Sequence, residues 1–160
     1  MQSKKNYSAA QIVLHWAIAL LIGLNYLISD HMNRFFRGTL EGQPAVGFVP
    51  MFHVYAGVAV LVLVLVRLIF RMRDGAPAPI GGGTLLDRVA GYTHAALYVL
   101  MFVVPALGAA TWFGGIKVTA DLHVLTMNAM MLLVLAHAFA GIFHHFVLKD
   151  GLMSRMVRFK

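Results

Sequence analysis

His123 and His137 lie fourteen residues apart in one apolar run, LHVLTMNAMMLLVLAHAFAGIFHHFVL. Fourteen residues rotate an α-helix by about 1400°, within roughly 40° of a whole number of turns, while advancing it about 21 Å. The two imidazoles therefore project from one helix face at two depths. A neutral imidazole gives one ring nitrogen to a metal and needs a hydrogen-bond partner for the other. An advance of about 21 Å fits inside a hydrocarbon layer roughly 30 Å thick, so the spacing suits one metal cofactor near each face of a bilayer. Two stacked haems are the chemistry this implies. The chain has no cysteine, which excludes a disulfide framework, an iron–sulfur cluster and covalent haem attachment and leaves histidine or methionine as the ligands.

The elements that must carry these residues are membrane spans. Sixty per cent of the chain is hydrophobic, the mean hydropathy is +0.78 and only 12% is charged, whereas soluble domains are about a quarter charged. Four stretches are long and apolar enough to cross a bilayer, at about 11–30, 52–72, 88–113 and 121–148. The expected fold is all-α, an integral membrane four-helix bundle forming one domain over 1–160. The first stretch differs from a signal peptide in being a full-length span that contains His15, with no small-residue cleavage pattern after it. Proline and glycine mark segment 74–83 as one connection and 29–50 as the longest loop, and Gly114 and Gly115 mark a short turn.

Basic residues set the orientation. Lys4, Lys5, Arg67, Arg71, Arg73, Arg88, Lys149, Arg155, Arg158 and Lys160 fall on the side of the termini, and only Arg34, Arg37 and Lys117 on the other. Ten against three predicts both termini in the cytoplasm. The net charge of +7 is mostly this positive-inside signal, so no nucleic-acid partner is needed to explain it.

With the spans placed, the histidines sort by depth. His15 and His137 fall at the cytoplasmic level, His53 and His123 at the outer level. Each pair could clamp a haem from two facing helices, and full axial occupancy favours electron transfer over dioxygen binding. Gly57, Gly141 and Ala19 each follow one of these histidines by four residues, leaving bare helix surface against which a flat macrocycle can lie. Arg67 follows His53 by fourteen residues and so reaches the inner level, where it either meets a haem propionate or snorkels to the interface. His94 also falls at the inner level, as a neighbour of the ligands or as a ligand itself. The ten methionines read as packing or lipid-facing residues. Trp16, Tyr92, Tyr98, Trp112 and the Phe35–Phe36 pair read as interfacial anchors.

Tyr7-Ser8, Leu14-His15-Trp16, His53-Val54, Val66-Arg67-Leu68 and the string His137, His144-His145, Lys149-Asp150 together resemble the bacterial cytochrome b561 family of small di-haem inner-membrane proteins. The resemblance covers nearly the whole chain. It implies two haem b groups with His15, His53, His123 and His137 as axial ligands. The nearest likeness is to the short stand-alone branch, in which a superoxide oxidase passes electrons from superoxide to ubiquinone. Related four-helix subunits serve hydrogenases and formate dehydrogenases.

The expected function is therefore electron transfer across the inner membrane between an outer donor and a quinone. Arg34, Arg37, Lys117 and His31 stand against Asp30, Glu41 and Asp121 in the outer segments, a weak positive excess that could steer superoxide or consist of solvated loop charges. His144 lies two turns beyond His137, where an imidazole could hydrogen-bond ubiquinone and relay a proton. Trp16, His94 and Arg71 are its expected neighbours. Two other readings stand beside this one: a quinone-linked carrier or cytochrome subunit for a separate dehydrogenase, and a haem-free metal or proton transporter, which the lack of cysteine and of acidic residues within the spans disfavours.

Overall fold

The computed structural model describes residues 6–29, 32–43, 46–78 and 84–157. Lys4, Lys5, Asp30, His31, Arg158 and Lys160 lie outside the described residues. The elements are α1 (Ala9–Ile28), α2 (Met32–Leu40), α3 (Phe48–Asp74), α4 (Leu85–Gly114), α5 (Lys117–Phe143), a π-helical turn (His144–Leu148) and α6 (Ser154–Val157). No strand occurs among the described residues. Four helices are long and apolar enough to cross a membrane: α1, α3, α4 and α5 with its π-helical extension.

Each span starts two to four residues before the stretch that hydropathy marks. The reason is local, because a helix begins where its first amides find acceptors rather than where apolar residues begin. Ser8 caps α1 in a reciprocal box with Gln11, and Thr84 caps α4 in the same way with Asp87. Gly115 closes α4 in the left-handed region at φ 64°.

The 29–50 segment, expected as a loop, contains a helix of its own. In α2 the half-buried Phe35 and Phe36 stand beside the exposed Arg34 and Arg37. A nine-residue helix is too short to register as a span, although its amphipathic pattern suits a position along the membrane surface.

The spans pack as two hairpins, α1 with α3 and α4 with α5, joined where α3 meets α4. By contrast, α5 makes little direct contact with α1 or α3. Ile18, Ile22, Val60, Val64, Leu97, Val104 and Met130 form the buried cluster. Its depth is fixed by Met130, which lies seven residues from both His123 and His137. Leu20, Leu27, Val62, Ile69, Leu132 and Phe139 are exposed, as lipid-facing positions should be.

Lys149 adopts φ 52° and Gly151 φ 79°, turning the chain back beneath the bundle. Trp16 then donates to the Met156 carbonyl at 2.8 Å, and Arg155 to the Ala78 carbonyl at 2.8 Å. The start of α1 and the C-terminal segment therefore share one end of the bundle, the termini end.

Gln11 closes that end from within. It is 4% exposed and donates to the Gly75 carbonyl at 3.0 Å and the Phe70 carbonyl at 3.5 Å. Replacing it by leucine removes the donor and leaves those carbonyls short of a partner, which should destabilise the bundle by about 1–3 kcal/mol. Thermal unfolding in detergent, compared with a substitution at exposed Thr39, measures this.

Candidate functional site

At the far end, His53 on α3 faces His123 on α5 with ring centroids 5.9 Å apart and planes at 80°. At the termini end, His15 on α1 faces His137 on α5 at 6.1 Å and 82°. A metal–imidazole bond of about 2 Å, plus about 1 Å from nitrogen to ring centre, places the centroids of two imidazoles sharing one metal about 6 Å apart. Both pairs have this separation. Both also bridge α5 to a helix it scarcely packs against, so each pair of rings spans a gap in the bundle. The residues present thus fit two bis-imidazole haem sites.

His123 is oriented by α4. Its Nδ1 lies 2.8 Å from the Val104 carbonyl. A carbonyl only accepts, so Nδ1 carries the proton and the lone pair sits on Nε2, ready for a metal. Gly108 makes this approach possible, because a Cβ there would lie 3.1 Å from His123 Cε1 and 3.2 Å from Nδ1. His53 is met from α1 by Ser29, whose hydroxyl is 2.5 Å from Nδ1. Beside His53 a Cβ at Gly57 would meet nothing within 4 Å, and at Gly141 it would meet only Met153 at 3.9 Å. The helix surface is bare at Gly57, four residues after His53, whereas Met153 lies against Gly141, four residues after His137.

Arg67 is held inward at the termini level, not extended toward the interface. Its Nη1 donates to the Gln11 carbonyl at 3.2 Å and its Nε to the Tyr98 hydroxyl at 3.0 Å. Its charge acts on both His15 and His137. Tyr98, expected as an interfacial anchor, is therefore part of this site, with the Arg71 guanidinium 6.0 Å from its ring centre. His94 lies 5.0 Å from His137, ring centre to ring centre, closer than two ligands on opposite sides of one metal stand. It packs against the His15–His137 pair as a neighbour.

His144 opens the π-helical turn, with Nδ1 2.5 Å from an Asp150 carboxylate oxygen. The other Asp150 oxygen accepts the Leu152 amide at 3.0 Å. The bond from His144 holds the Asp150 carboxyl below its ordinary carboxylate range. Asp150 is thus ionised throughout the neutral range, and the contribution of its charge to the fold-back is lost only as pH falls through that lowered value. Trp16 joins the same fold-back through Met156, its ring 5.3 Å from His15. The expected neighbours of His144 are accordingly divided: Trp16 belongs with the fold-back, His94 and Arg71 with the residues around Arg67 and Tyr98. His145 is exposed against Phe146.

On the far face, Arg34 and Arg37 line one groove with Gly38, Glu41 and Gln43. Lys117 begins α5 and is not among the residues lining it. Ser29, Gly108, Tyr98 and Asp150 were missed as functional positions. Asp150 carried a signal in its spacing from His144, whereas the other three act across helix pairs that the sequence does not specify.

The sequence profile described as prokaryotic cytochrome b561 matches residues 6–159. Cytochrome b562 of Cereibacter sphaeroides is 43% identical, covering 99% of this chain and 99% of its own length. A Yersinia pestis protein named probable superoxide oxidase CybB is 28% identical, covering 96% of each chain. Cytochrome b561 homolog 1 of Escherichia coli is 27% identical, covering 94% of this chain and 96% of its own. No solved structure matches the chain significantly.

If the facing pairs are the ligands, His53→Ala or His123→Ala should remove the far-end haem, and His15→Ala or His137→Ala the haem at the termini end. His94→Ala should keep both. Gly108→Ala, pressing on the His123 ring, should weaken the far-end haem while sparing the other. Haem content and reduced-minus-oxidised spectra of the purified variants read all six.

Proposed function

The chain belongs to the prokaryotic cytochrome b561 family, multi-pass electron carriers of the bacterial inner membrane, and from that premise we propose that it moves electrons from periplasmic superoxide to ubiquinone through two haem b groups. The observation that carries this reading is the pair of imidazole couples at two depths, each with the ring separation of ligands sharing one iron. Haem, when bound, would supply a one-electron redox centre at each couple. His53 and His123 would hold the far-end group, and His15 and His137 the group at the termini end. Arg67, fixed by Gln11 and Tyr98, offers a cation for a propionate.

The charge asymmetry puts the termini in the cytoplasm and the groove with Arg34 and Arg37 at the periplasmic face. Together with Lys117 these residues steer an anion toward His53 and His123. At the other end, the imidazolium form of His144 donates from Nε2–H to a quinone carbonyl, while Asp150 accepts from Nδ1–H and so fixes the ring. Trp16, beside His15, borders the same region. A second reading keeps the electron path and changes the donor to a dehydrogenase subunit. Glu41 in the groove of Arg34 and Arg37 favours it by diluting the attraction for a small anion. For the haem-free transporter, the described histidines are in the wrong grouping, since no three His, Asp or Glu side chains among them converge on a bare ion.

Anaerobic mixing of superoxide with the purified protein and a soluble ubiquinone tests the donor. Haem reduction should slow as salt rises past about 0.15 M, where the Debye length is roughly 8 Å. Arg34→Gln, Arg37→Gln and Lys117→Gln should each slow it further. A rate indifferent to both leaves the dehydrogenase-linked reading in place of the superoxide one.

The acceptor side is tested by His144→Ala. This variant should keep both haems and their reduction from the far side, yet form quinol about 100-fold more slowly, the scale of a lost proton donor. Wild-type quinol formation would place the quinone elsewhere.

A further inference from the structure

We propose that Ser29 is a positioning residue for His53, and that by accepting the hydrogen bond from its Nδ1–H it lowers the potential of the far-end haem. The inference rests on the reading that His53 and His123 hold that haem. For His53 to offer Nε2 to iron, its Nδ1 must carry the proton. The Ser29 hydroxyl, 2.5 Å away, then has to accept the hydrogen bond. The hydroxyl hydrogen is not left idle, since Ser29 Oγ donates to the Asn25 carbonyl one turn back. Asn25 in turn donates through Nδ2 to the His53 backbone carbonyl at 3.4 Å. His53, Ser29 and Asn25 form a closed polar ring between α1 and α3, where lipid supplies no substitute partners.

A hydrogen bond accepted from Nδ1–H makes an imidazole a stronger electron donor through its other nitrogen. A stronger donor stabilises ferric over ferrous iron, which lowers the reduction potential. His123 is treated alike by the Val104 carbonyl, so both far-end ligands are anchored. At the termini end the Arg67 guanidinium is fixed by Tyr98 and Gln11 at the level of His15 and His137, and a cation there favours the ferrous state. The far-end haem is thereby the lower in potential of the two, and transfer toward the termini end runs downhill.

The test is a spectroscopic redox titration of the detergent-solubilised holoprotein, with His123→Ala identifying which potential belongs to the far end. Ser29→Ala should raise the far-end potential, leave the other in place and weaken retention of the far-end haem by about 10–100-fold. Ser29→Thr should restore wild-type behaviour. Asn25→Ala removes the bond to the His53 backbone but keeps the Ser29 hydroxyl and its carbonyl acceptor, so it should leave the potential unchanged even if it lowers stability. An unshifted far-end potential in Ser29→Ala, or the same shift in Asn25→Ala, overturns the proposal. Retention of both haems by His53→Ala overturns the ligand assignment beneath it, an outcome distinct from the other two.

Discussion

Fourteen residues of α-helix return to nearly the starting azimuth about 21 Å further on, and every span in this bundle uses that return. In α5 it joins His123 to His137; in α3, His53 to Arg67; in α1 and its C-cap, His15 to Ser29; in α4, His94 to Gly108. Each helix thus presents one residue to each of two levels. At the far level the set is His53, His123, Ser29 and Gly108, with Ser29 against one ring and Gly108 against the other. At the termini level it is His15, His137, Arg67 and His94, with Arg67 fixed by Tyr98 and Gln11. Both levels inherit their composition from one helical repeat, so a change of register in any span would disturb two sites at once.

Between the levels the bundle is closed by apolar side chains from all four spans, with Met130 midway between the α5 histidines. Along its length α5 makes little direct contact with α1 or α3, and the facing imidazoles bridge it to those helices at both levels. Packing α5 on α4 also lets α4 support His123 without contributing a histidine to that pair, through the Val104 carbonyl and the missing Cβ of Gly108.

The parts legible in the sequence were those governed by a period along one chain. Hydropathy located the four spans, and the fourteen-residue spacing with alternating span direction paired His15 with His137 and His53 with His123. What escaped depends on which helix lies beside which. Gly108 looks like any small residue until α4 is laid against His123, and Ser29 like the end of a span until α1 is laid against α3. Tyr98 read as an interfacial anchor because nothing in the sequence places its hydroxyl against Arg67. The α2 helix was hidden for a different reason, being too short for a hydropathy window and flanked by glycine and proline.

The same apolar layer separates the paths of electrons and protons. Among the described residues the acidic side chains Glu41, Asp74, Asp87, Asp121 and Asp150 belong to connections or lie at or near helix ends, and the buried cluster between the two levels is apolar, with Tyr98 packed against it. Electrons can tunnel between centres through such a layer, whereas a proton needs a chain of groups that hydrogen-bond it. Any reaction that consumes protons together with electrons must then draw its protons from water at one end of the bundle. The termini end has the equipment: an ionised Asp150 bonded to His144, in a fold-back secured to α1 by Trp16 and Met156. Since α1 also carries His15, and α5 carries both His137 and the turn that holds His144, the proton donor and the electron donor proposed for that end would be fixed to the same two helices. Their separation is set by the helices themselves, which is the condition for delivering both to one acceptor.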